Sequence, residues 1–203
     1  AIYWPIFLMA LGIEIPETIY AHNWFIRKDG KMSKSVGNVV YPEDIVNTLG
    51  LDVLRYILLR EMPYTHDGVI SADNLILKYN TELCNDFSNL IYRTIGMIRK
   101  YELENDKLSI EKEKIDNVLL KSVCENISRY VEYFDSFMVQ KAIEEILDII
   151  SKANKYIDSV EPWKLFKEKE QNLEKLNIFI YTLVNIIRIV RNINKSGNAR
   201  NSK

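Results

Sequence analysis

Glycine and proline, which interrupt regular secondary structure, are distributed very unevenly along this chain. Five of the seven glycines and four of the five prolines lie within residues 1–68, and the other 135 residues contain only Gly96, Gly197 and Pro162. The two residue types are also scarce: together they account for 12 of 203 residues, about 6% of the chain. Their average combined usage in proteins is roughly 12%. A β-sandwich or barrel needs many turns. The distribution therefore predicts a looped first part followed by long helices.

Composition excludes several classes of protein. Two cysteines, Cys84 and Cys124, are too few for a disulfide framework or a four-ligand zinc site, and free thiols suit a reducing, cytoplasmic compartment. The apolar run over residues 1–13 is too short to cross a membrane and lacks the basic start of a signal peptide, so we predict no membrane segment. The formal net charge of −1 gives no bulk attraction for polyanions.

Local patterns predict the elements of the first part. Residues 1–13 begin within an apolar pattern without a cap, so we expect a buried helix in a chain cut from something longer. Aromatic and β-branched residues predict two short strands, and Pro42, Gly50 and Pro63 delimit two helices. The predicted strands are 18–22 and 24–26, the helices are 42–49 and 52–62, and 64–70 is a turn.

Helical periodicity dominates the second part. Ser71 caps a long predicted helix that reaches Tyr101 and is followed by a charged connection over 102–114. Further helices are predicted at 115–134, from about Ile143 to Ile157, from Pro162, and at 173–193. The predicted fold is mainly α: a short α+β connector over 1–70, an α-helical bundle over 71–193 and a disordered tail over 194–203.

The most specific local signal is a basic loop. It runs Lys31-Met32-Ser33-Lys34-Ser35, continues as Val36-Gly37-Asn38, and carries a net charge of +3 between Arg27 and Ser35. Two lysines and two hydroxyls on a glycine-flanked loop can close over a triphosphate and neutralise charge as pyrophosphate leaves. From the residues alone, an exposed basic hairpin tip remains the alternative.

The letters of this loop carry a resemblance. KMSKS followed by GN resembles the second signature of class I aminoacyl-tRNA synthetases, and three other segments resemble the methionyl-tRNA synthetase family in particular. They are AIYWPIFLMALG, DVLRYILLREMPYTHDGVIS and NKYIDSVEPWKLF, and the resemblance covers about residues 1–190. It implies the end of a Rossmann-type catalytic domain, an anticodon-binding bundle, and a cytoplasmic ligase that joins methionine to tRNA(Met) through methionyl-adenylate.

The resemblance also implies roles for residues on the catalytic side. Lys34 and Lys31 would be catalytic, with Lys34 stabilising the transition state of adenylation. The five residues Lys31, Met32, Ser33, Lys34 and Ser35 would contact ATP, accompanied by Mg²⁺ in the full enzyme. Trp4 would help to form the methionine pocket, and a buried core tryptophan is the alternative interpretation, which is compatible with that role.

Three residues of the second part would read the CAU anticodon by the same resemblance. Asn89 and Arg93 are four residues apart and therefore share one face of a helix. Trp163 follows Pro162, where an exposed ring can stack on an unpaired base. The alternatives are a surface asparagine, an arginine in an ion pair and a tryptophan that packs on the bundle.

Missing features limit the predicted activity. A class I synthetase needs paired histidines in a first signature, whereas this chain has only His22 and His66, and the zinc-bearing insertion of many methionyl enzymes is absent. We therefore predict no metal site, a missing N-terminal catalytic half as partner, and no activity for this chain alone. Two alternatives stay open: a leucyl-, isoleucyl- or valyl-type class I synthetase, and a stand-alone tRNA-binding module without catalysis.

Overall fold

The computed structural model describes residues 1–28, 30–63, 66–103 and 117–198, with side chains described up to residue 193. The first part contains three helices and three short strands: α1 (Tyr3–Ala10), β1 (Phe25–Arg27), β2 (Gly30–Lys31), α2 (Pro42–Leu49), α3 (Leu51–Arg60) and β3 (Gly68–Val69). The second part is helical: α4 (Ala72–Lys78), a π-helix (Tyr79–Ser88), α5 (Asn89–Lys100), α6 (Asn117–Asp135), α7 (Val139–Val160), α8 (Pro162–Leu165), a 3-10 turn (Phe166–Glu168) and α9 (Lys169–Asn198). This confirms the predicted fold class.

The three strands form one small sheet in the order β2-β1-β3. The β1–β2 pair is an antiparallel hairpin with Ile26 opposite Lys31, and β3 adds in parallel with Ile26 opposite Val69. The strand predicted at 18–22 is wrong: these residues are exposed and extended without a ladder. The turn predicted over 64–70 is also wrong in part, because β3 lies within it. Residues 64 and 65 of that prediction lie outside the described residues.

The first helix forms as predicted, but the prediction that it is buried is wrong. None of the residues of α1 is buried, and Trp4 is 53% exposed. Apolar periodicity shows which residues prefer to leave water, whereas burial also requires a neighbouring element to cover them. No described element covers this helix, so α1 presents an apolar surface.

The next two helices follow their local signals closely. Pro42 occupies the first turn of α2, and Gly50 ends that helix with a φ of 91°, a backbone conformation that favours glycine. α3 then packs against the sheet through a small core of Ile57, Ile70 and Leu75. Leu75 belongs to α4, so this core crosses the predicted boundary at residue 70, and the domain limits stay a prediction.

The long helix predicted after Ser71 begins as expected and changes type further on. The Ser71 hydroxyl accepts a hydrogen bond of 3.3 Å from the backbone N–H of Asn74, which confirms the predicted cap. The chain then adopts a ten-residue π-helix before α-helical geometry returns at Asn89. A wider turn changes the angle between successive side chains, so the π-helix sets the direction in which the α5 side chains point.

The bundle core is continuous and apolar. Leu90 of α5, Ile157 of α7 and Leu183 of α9 are fully buried, as their spacing predicts. Among the described residues, the buried members of this core are Leu90, Tyr101, Leu103, Val123, Ile146, Ile149, Ile150, Ala153, Ile157, Leu176, Phe179, Ile180, Leu183, Ile186 and Val190. Burying one such aliphatic side chain contributes about 1.5–3 kcal/mol, which makes this cluster the main source of stability in the second part.

The last helix is longer than predicted at both ends. It runs from Lys169 to Asn198 instead of 173–193, so the backbone is helical over residues 194–198, where a disordered tail is predicted. Residues 199–203 of that predicted tail lie outside the described residues, as do residues 104–114 of the predicted charged connection. Lysine and arginine near a helix C-terminus favour such an extension through the helix dipole.

The apolar α7–α9 region also meets a length-and-composition criterion for a membrane span. The stretch Val139–Ile193 contains an 18-residue window with a mean hydropathy of 1.4, of which 39% is buried inside the structure. Core helices meet the same criterion, and the buried side chains of α7 and α9 build the bundle core. The expectation of no membrane segment stays a prediction.

An ion-pair cluster centred on Arg60, whose side chain is 13% exposed, joins the two parts. Arg60 of α3 donates from Nε and Nη2 to Oε1 of Glu82 in the π-helix, at 3.2 and 3.1 Å, and from Nη1 to Glu144 of α7 at 3.1 Å. The hydroxyl of Tyr56 donates to the other Glu82 oxygen. Burial, followed by the neighbouring Glu82 carboxylate, raises the pKa of Tyr56 well above its usual value, so this hydroxyl remains a donor. The cluster fixes α3 against the bundle.

Gly68 offers a sharp test of the sheet. A Cβ at this position would lie 2.2 Å from the Glu61 carbonyl oxygen and 3.1 Å from the Phe25 ring. Because β3 is hydrogen-bonded to β1, it cannot move away, and we expect Gly68→Ala to lower the free energy of unfolding by about 1–3 kcal/mol. Urea unfolding followed by circular dichroism measures this change.

Gly96 is the matched control, because a Cβ there meets no atom within 4 Å and the residue lies inside α5. Gly96→Ala should leave stability unchanged or raise it by up to about 1 kcal/mol, through better helix propensity. Equal effects of the two substitutions would contradict the close approach at Gly68.

Candidate functional site

The basic loop leaves the sheet at β2 and returns to the fold at α2. The β1–β2 hairpin delivers Lys31 at the edge of the sheet, and residues 34–37 form a turn at the tip. In that turn the Ser33 carbonyl accepts from the N–H groups of Val36 and Gly37 at 3.2 and 3.1 Å. Gly37 has a φ of 73°, a left-handed conformation that a side chain would strain. Glycine is therefore required where the tip turns back.

Asn38 connects the two sides of the loop. Its side-chain Oδ1 accepts from the Ser33 N–H at 2.7 Å, and its Nδ2 donates to the Lys31 carbonyl at 3.3 Å. Its own carbonyl accepts from Nη1 of Arg27 in β1 at 3.2 Å. Asn38 is 9% exposed, so these bonds are shielded from water. The base of the loop is thereby fixed to the sheet.

The predicted loop residues point in different directions. Nζ of Lys31 lies 5.0 Å from the centre of the Trp24 ring, which is a cation–π contact. The side chain of Met32 turns inward, and its sulfur accepts from the Val40 N–H at 3.5 Å. Lys34 is exposed, and its ammonium has no ion pair or hydrogen bond with the residues that the structure describes. The tip of the loop therefore presents the Lys34 ammonium, which has no partner in the part of the chain that the structure describes.

The two serines of the loop contact one another. Their hydroxyl oxygens lie 2.8 Å apart, with Ser33 half-buried and Ser35 exposed. Either oxygen can be the donor, so one hydroxyl hydrogen remains for a ligand. Together with Lys34, these hydroxyls can donate hydrogen bonds to the oxygens of an anion.

A second group of predicted residues lies at the start of α5 and the end of α7. Asn89 is exposed as the first residue of α5, and Arg93 follows one turn later on the same face. Arg93 donates from Nη2 to the Asp158 carboxylate of α7 at 2.7 Å. In this structure Arg93 therefore has the geometry of the alternative named above, an arginine in an ion pair. Its guanidinium side chain remains 30% exposed, so the ion pair lies at the surface.

Trp163 lies just beyond the end of the same helix α7. Glu161 ends α7 in a left-handed conformation with a φ of 49°, and the buried Pro162 begins α8. This abrupt turn leaves Trp163 44% exposed beside the buried Pro162. Asp158 and Trp163 flank the end of α7, and Asp158 also contacts Arg93. Arg93, through its bond to Asp158, and Trp163, which follows α7 in the chain, thus both adjoin the C-terminal end of this helix.

Sequence reasoning missed three residues of these groups. Trp24 is predicted only as a strand residue, Asn38 only as a letter of the signature, and Asp158 is not singled out. Polar residues immediately after a basic loop are a weak signal for Asn38, and the distance of 65 residues between Arg93 and Asp158 gives none. Among the described residues, no group of three His, Cys, Asp or Glu side chains could hold a metal ion.

Two family models match the chain in succession. The model described as tRNA synthetases class I (M) matches residues 1–95, and the model described as the anticodon binding domain of methionyl tRNA ligase matches residues 109–196. The first match includes the basic loop and Asn89 to Arg93. The second includes Asp158 and Trp163. Both groups of candidate residues therefore lie within matched segments.

Individual relatives agree with these models. The chain is 43% identical over 189 residues to a methionine–tRNA ligase of Clostridium perfringens, and 44% identical over 192 residues to one of Enterococcus faecalis. Each alignment covers 93% of this chain but only 29% and 28% of the relative. The chain thus spans less than a third of the length of these relatives.

Solved structures give the same result for the fold. Mycobacterium tuberculosis methionyl-tRNA synthetase in complex with methionyl-adenylate superimposes with a TM-score of 0.80 at 36% identity, over 93% of this chain and 37% of that one. A crystal structure of the free form of that synthetase superimposes with a TM-score of 0.75 at 32% identity. From the two matched models, the relatives and the shared fold, we conclude that this chain belongs to the methionyl-tRNA synthetase family.

Proposed function

We propose that this chain is the C-terminal part of a methionine–tRNA ligase and contributes two of its functions. The full enzyme would convert methionine and ATP into methionyl-adenylate and pyrophosphate, and then transfer the methionyl group to tRNA(Met). The observation that carries this proposal is the succession of a class I (M) match and a methionyl anticodon-binding match along one chain. The methionyl-specific second match disfavours the leucyl, isoleucyl and valyl alternatives.

The basic loop would serve the first step. In this role Lys34 is the catalytic cation, because its exposed ammonium at the tip can follow the negative charge that develops as pyrophosphate leaves. Lys31, Ser33 and Ser35 would add donors to the same phosphates. Met32 would act through its inward packing, since its sulfur bonds the Val40 N–H. The side chains of this loop suit the anionic triphosphate, whereas Mg²⁺ would be held elsewhere in the full enzyme.

The exposed surface of α1 would receive the rest of the catalytic domain. Its large apolar side chains are uncovered within the described chain, and Ile2, Tyr3 and Phe7 are all more than 60% exposed. Contiguous apolar surface of this kind marks an interaction site. Trp4, 53% exposed, would complete the methionine pocket once that partner is present. This arrangement agrees with a chain that spans 29% of its relative.

The end of α7 would read the anticodon. In the proposed complex the exposed Trp163 ring stacks on the first anticodon base, while Asn89 and Arg93 bond to base edges. Arg93 would reach a base edge either with the N–H groups that its Asp158 bond leaves available or by exchanging Asp158 for the RNA. A single-stranded anticodon loop supplies unpaired bases for these contacts, and a duplex does not.

The proposed activity is tested by joining the chain to the N-terminal part of the Clostridium perfringens relative and measuring ATP–pyrophosphate exchange. We expect activity from the joined protein and none from this chain alone. Lys34→Ala should lower the exchange rate about 10²–10³-fold, the effect of removing one preorganised charge-stabilising donor. Lys28→Ala, in the hairpin turn, is the control that should change the rate little.

Absence of exchange activity in the joined protein, with tRNA binding retained, would favour the stand-alone tRNA-binding module. Substantial activity of the isolated chain would contradict the proposal in the other direction, because the first class I signature would then be dispensable.

Stacking by Trp163 is tested on this chain with a CAU anticodon stem-loop. Trp163→Ala should weaken binding by about 5- to 150-fold, corresponding to roughly 1–3 kcal/mol per stacked base. Fluorescence anisotropy at fixed salt measures the affinity. Tyr41→Ala removes an aromatic ring of similar exposure near α2 and should leave the affinity unchanged. Unchanged affinity in the Trp163 variant would rule out the stacking role.

The Arg93–Asp158 pair generates a separate prediction. Asp158→Asn frees the guanidinium and removes a negative charge next to the RNA, so affinity for stem-loops with altered anticodons should rise about two- to fivefold. The folded state should lose less than about 1 kcal/mol, because the pair is exposed. The binding assay and urea unfolding check both values, with Asp135→Asn as an exposed control. A fall in affinity would mean that Asp158 assists RNA binding.

A further inference from the structure

The geometry of the loop points to a role for Asn38: we propose that its side-chain amide is the positioning residue that fixes the base of the loop and so directs Lys34. This inference rests on the proposed function of the loop, and it concerns a residue that touches neither phosphate nor metal in that proposal. It starts from an asymmetry inside the loop. The base is bonded to the sheet through Asn38 and Arg27, whereas the hydrogen bonds of the turn at the tip lie within the loop.

The amide of Asn38 holds both sides of Met32. Oδ1 accepts from the Ser33 N–H at 2.7 Å, and Nδ2 donates to the Lys31 carbonyl at 3.3 Å. One planar group therefore spans the peptide units on either side of Met32 and restricts rotation of both. An alcohol, an ammonium or an aliphatic side chain cannot supply an acceptor and a donor in one plane. An aspartate at position 38 would keep the acceptor and lose the donor.

The amide itself has a fixed position. The Asn38 carbonyl is bonded to Arg27 of β1 at 3.2 Å, and the side chain is shielded from water. The bond to Arg27 therefore attaches Asn38 to the sheet and not to another residue of the loop. The sulfur of Met32, which accepts from the Val40 N–H at 3.5 Å, adds a second contact on the same side.

Ser33 then becomes the pivot between the fixed base and the free tip. Its N–H is bonded to Asn38, and its carbonyl is bonded to the N–H groups of Val36 and Gly37. Lys34 is the next residue, so the orientation of the Ser33 peptide decides the direction in which Lys34 leaves the chain. Because a displacement of about 1 Å can reduce a catalytic rate by 10²-fold, fixing this peptide matters for the chemistry.

The first test measures the loop directly in the 203-residue chain. Amide hydrogen exchange of Ser33, followed by NMR, should accelerate about tenfold in Asn38→Ala, as expected for the loss of one hydrogen bond. Asn38→Asp should accelerate it less, because the shorter of the two bonds remains. Asn47→Ala replaces an exposed asparagine of α2 and should leave the Ser33 rate unchanged.

The second test measures catalysis in the joined protein used for pyrophosphate exchange. Asn38→Ala should lower kcat at least about tenfold and leave the KM for methionine unchanged, with Asn38→Asp intermediate. The expected order of kcat follows from the number of side-chain hydrogen bonds at position 38: asparagine makes two, aspartate keeps one, and alanine keeps none. A structural role elsewhere would instead lower the fraction of active enzyme and affect both variants through stability.

The outcomes separate this inference from the proposed function. An unchanged Ser33 exchange rate, or acceleration spread evenly through the core of α7, would overturn the positioning role. Faster Ser33 exchange with an unchanged kcat would also overturn it, because the fixed base would then be irrelevant to the reaction. If the parent joined protein shows no exchange activity, the proposed function fails, and the Ser33 rate alone still decides whether Asn38 fixes the loop.

Discussion

The buried ion pair between Arg60 and Glu82 is the contact on which the arrangement of the two parts depends. Both side chains are nearly closed off from water, at 13% and 15% exposure, and Tyr56 occupies the remaining carboxylate oxygen. Removing Arg60 would leave the largely buried Glu82 carboxylate with the Tyr56 hydroxyl but without a countercharge among the described residues, a loss of about 3–5 kcal/mol in comparable pairs. The pair therefore specifies one way of docking α3 on the bundle. Since the basic loop precedes α2 and α3, and the π-helix leads into α5, both candidate sites take their positions from this contact.

The two parts differ in how complete they are. The second part closes its own core, because helices α5, α7 and α9 each bury an apolar face against the others. Near the sheet, Ile57 and Ile70 of the first part form a small core together with Leu75 of α4, whereas α1 leaves its apolar side chains in water. A helix of this composition gains stability only when another surface covers it. The chain spans 29% of its Clostridium perfringens relative, which is consistent with such a surface in the rest of a longer protein.

Sequence reasoning succeeded where the determining interactions are local. The limits of α2 follow from Pro42 and Gly50, and the Ser71 cap needs only the N–H of Asn74 three residues later. Elements that depend on distant partners were wrong or incomplete. Residues 18–22, predicted as a strand, pair with no strand in the part of the chain that the structure describes. β3 forms because it pairs with β1, far away in the sequence. The spacing of apolar residues does not reveal the π-helix, because Leu90 and the other core residues are buried as an uninterrupted α-helix would predict. These failures reflect tertiary contacts that no short window contains.

The two candidate sites also differ in what sequence could reveal, and the difference has a physical origin. The sequence of the basic loop singles out Lys34. The surroundings of its ammonium depend on the fold, because Asn38 fixes the base of the loop and the turn at the tip makes hydrogen bonds within the loop. At the end of α7 the reverse holds, because Arg93 starts in an ion pair with Asp158. A free cation responds to any phosphate within reach, so the reaction must be made selective by position. In the proposed complex an RNA base would compete with the Asp158 carboxylate for the Arg93 guanidinium, and this competition would disfavour weakly fitting RNA. Position would thus control the first site and competition the second.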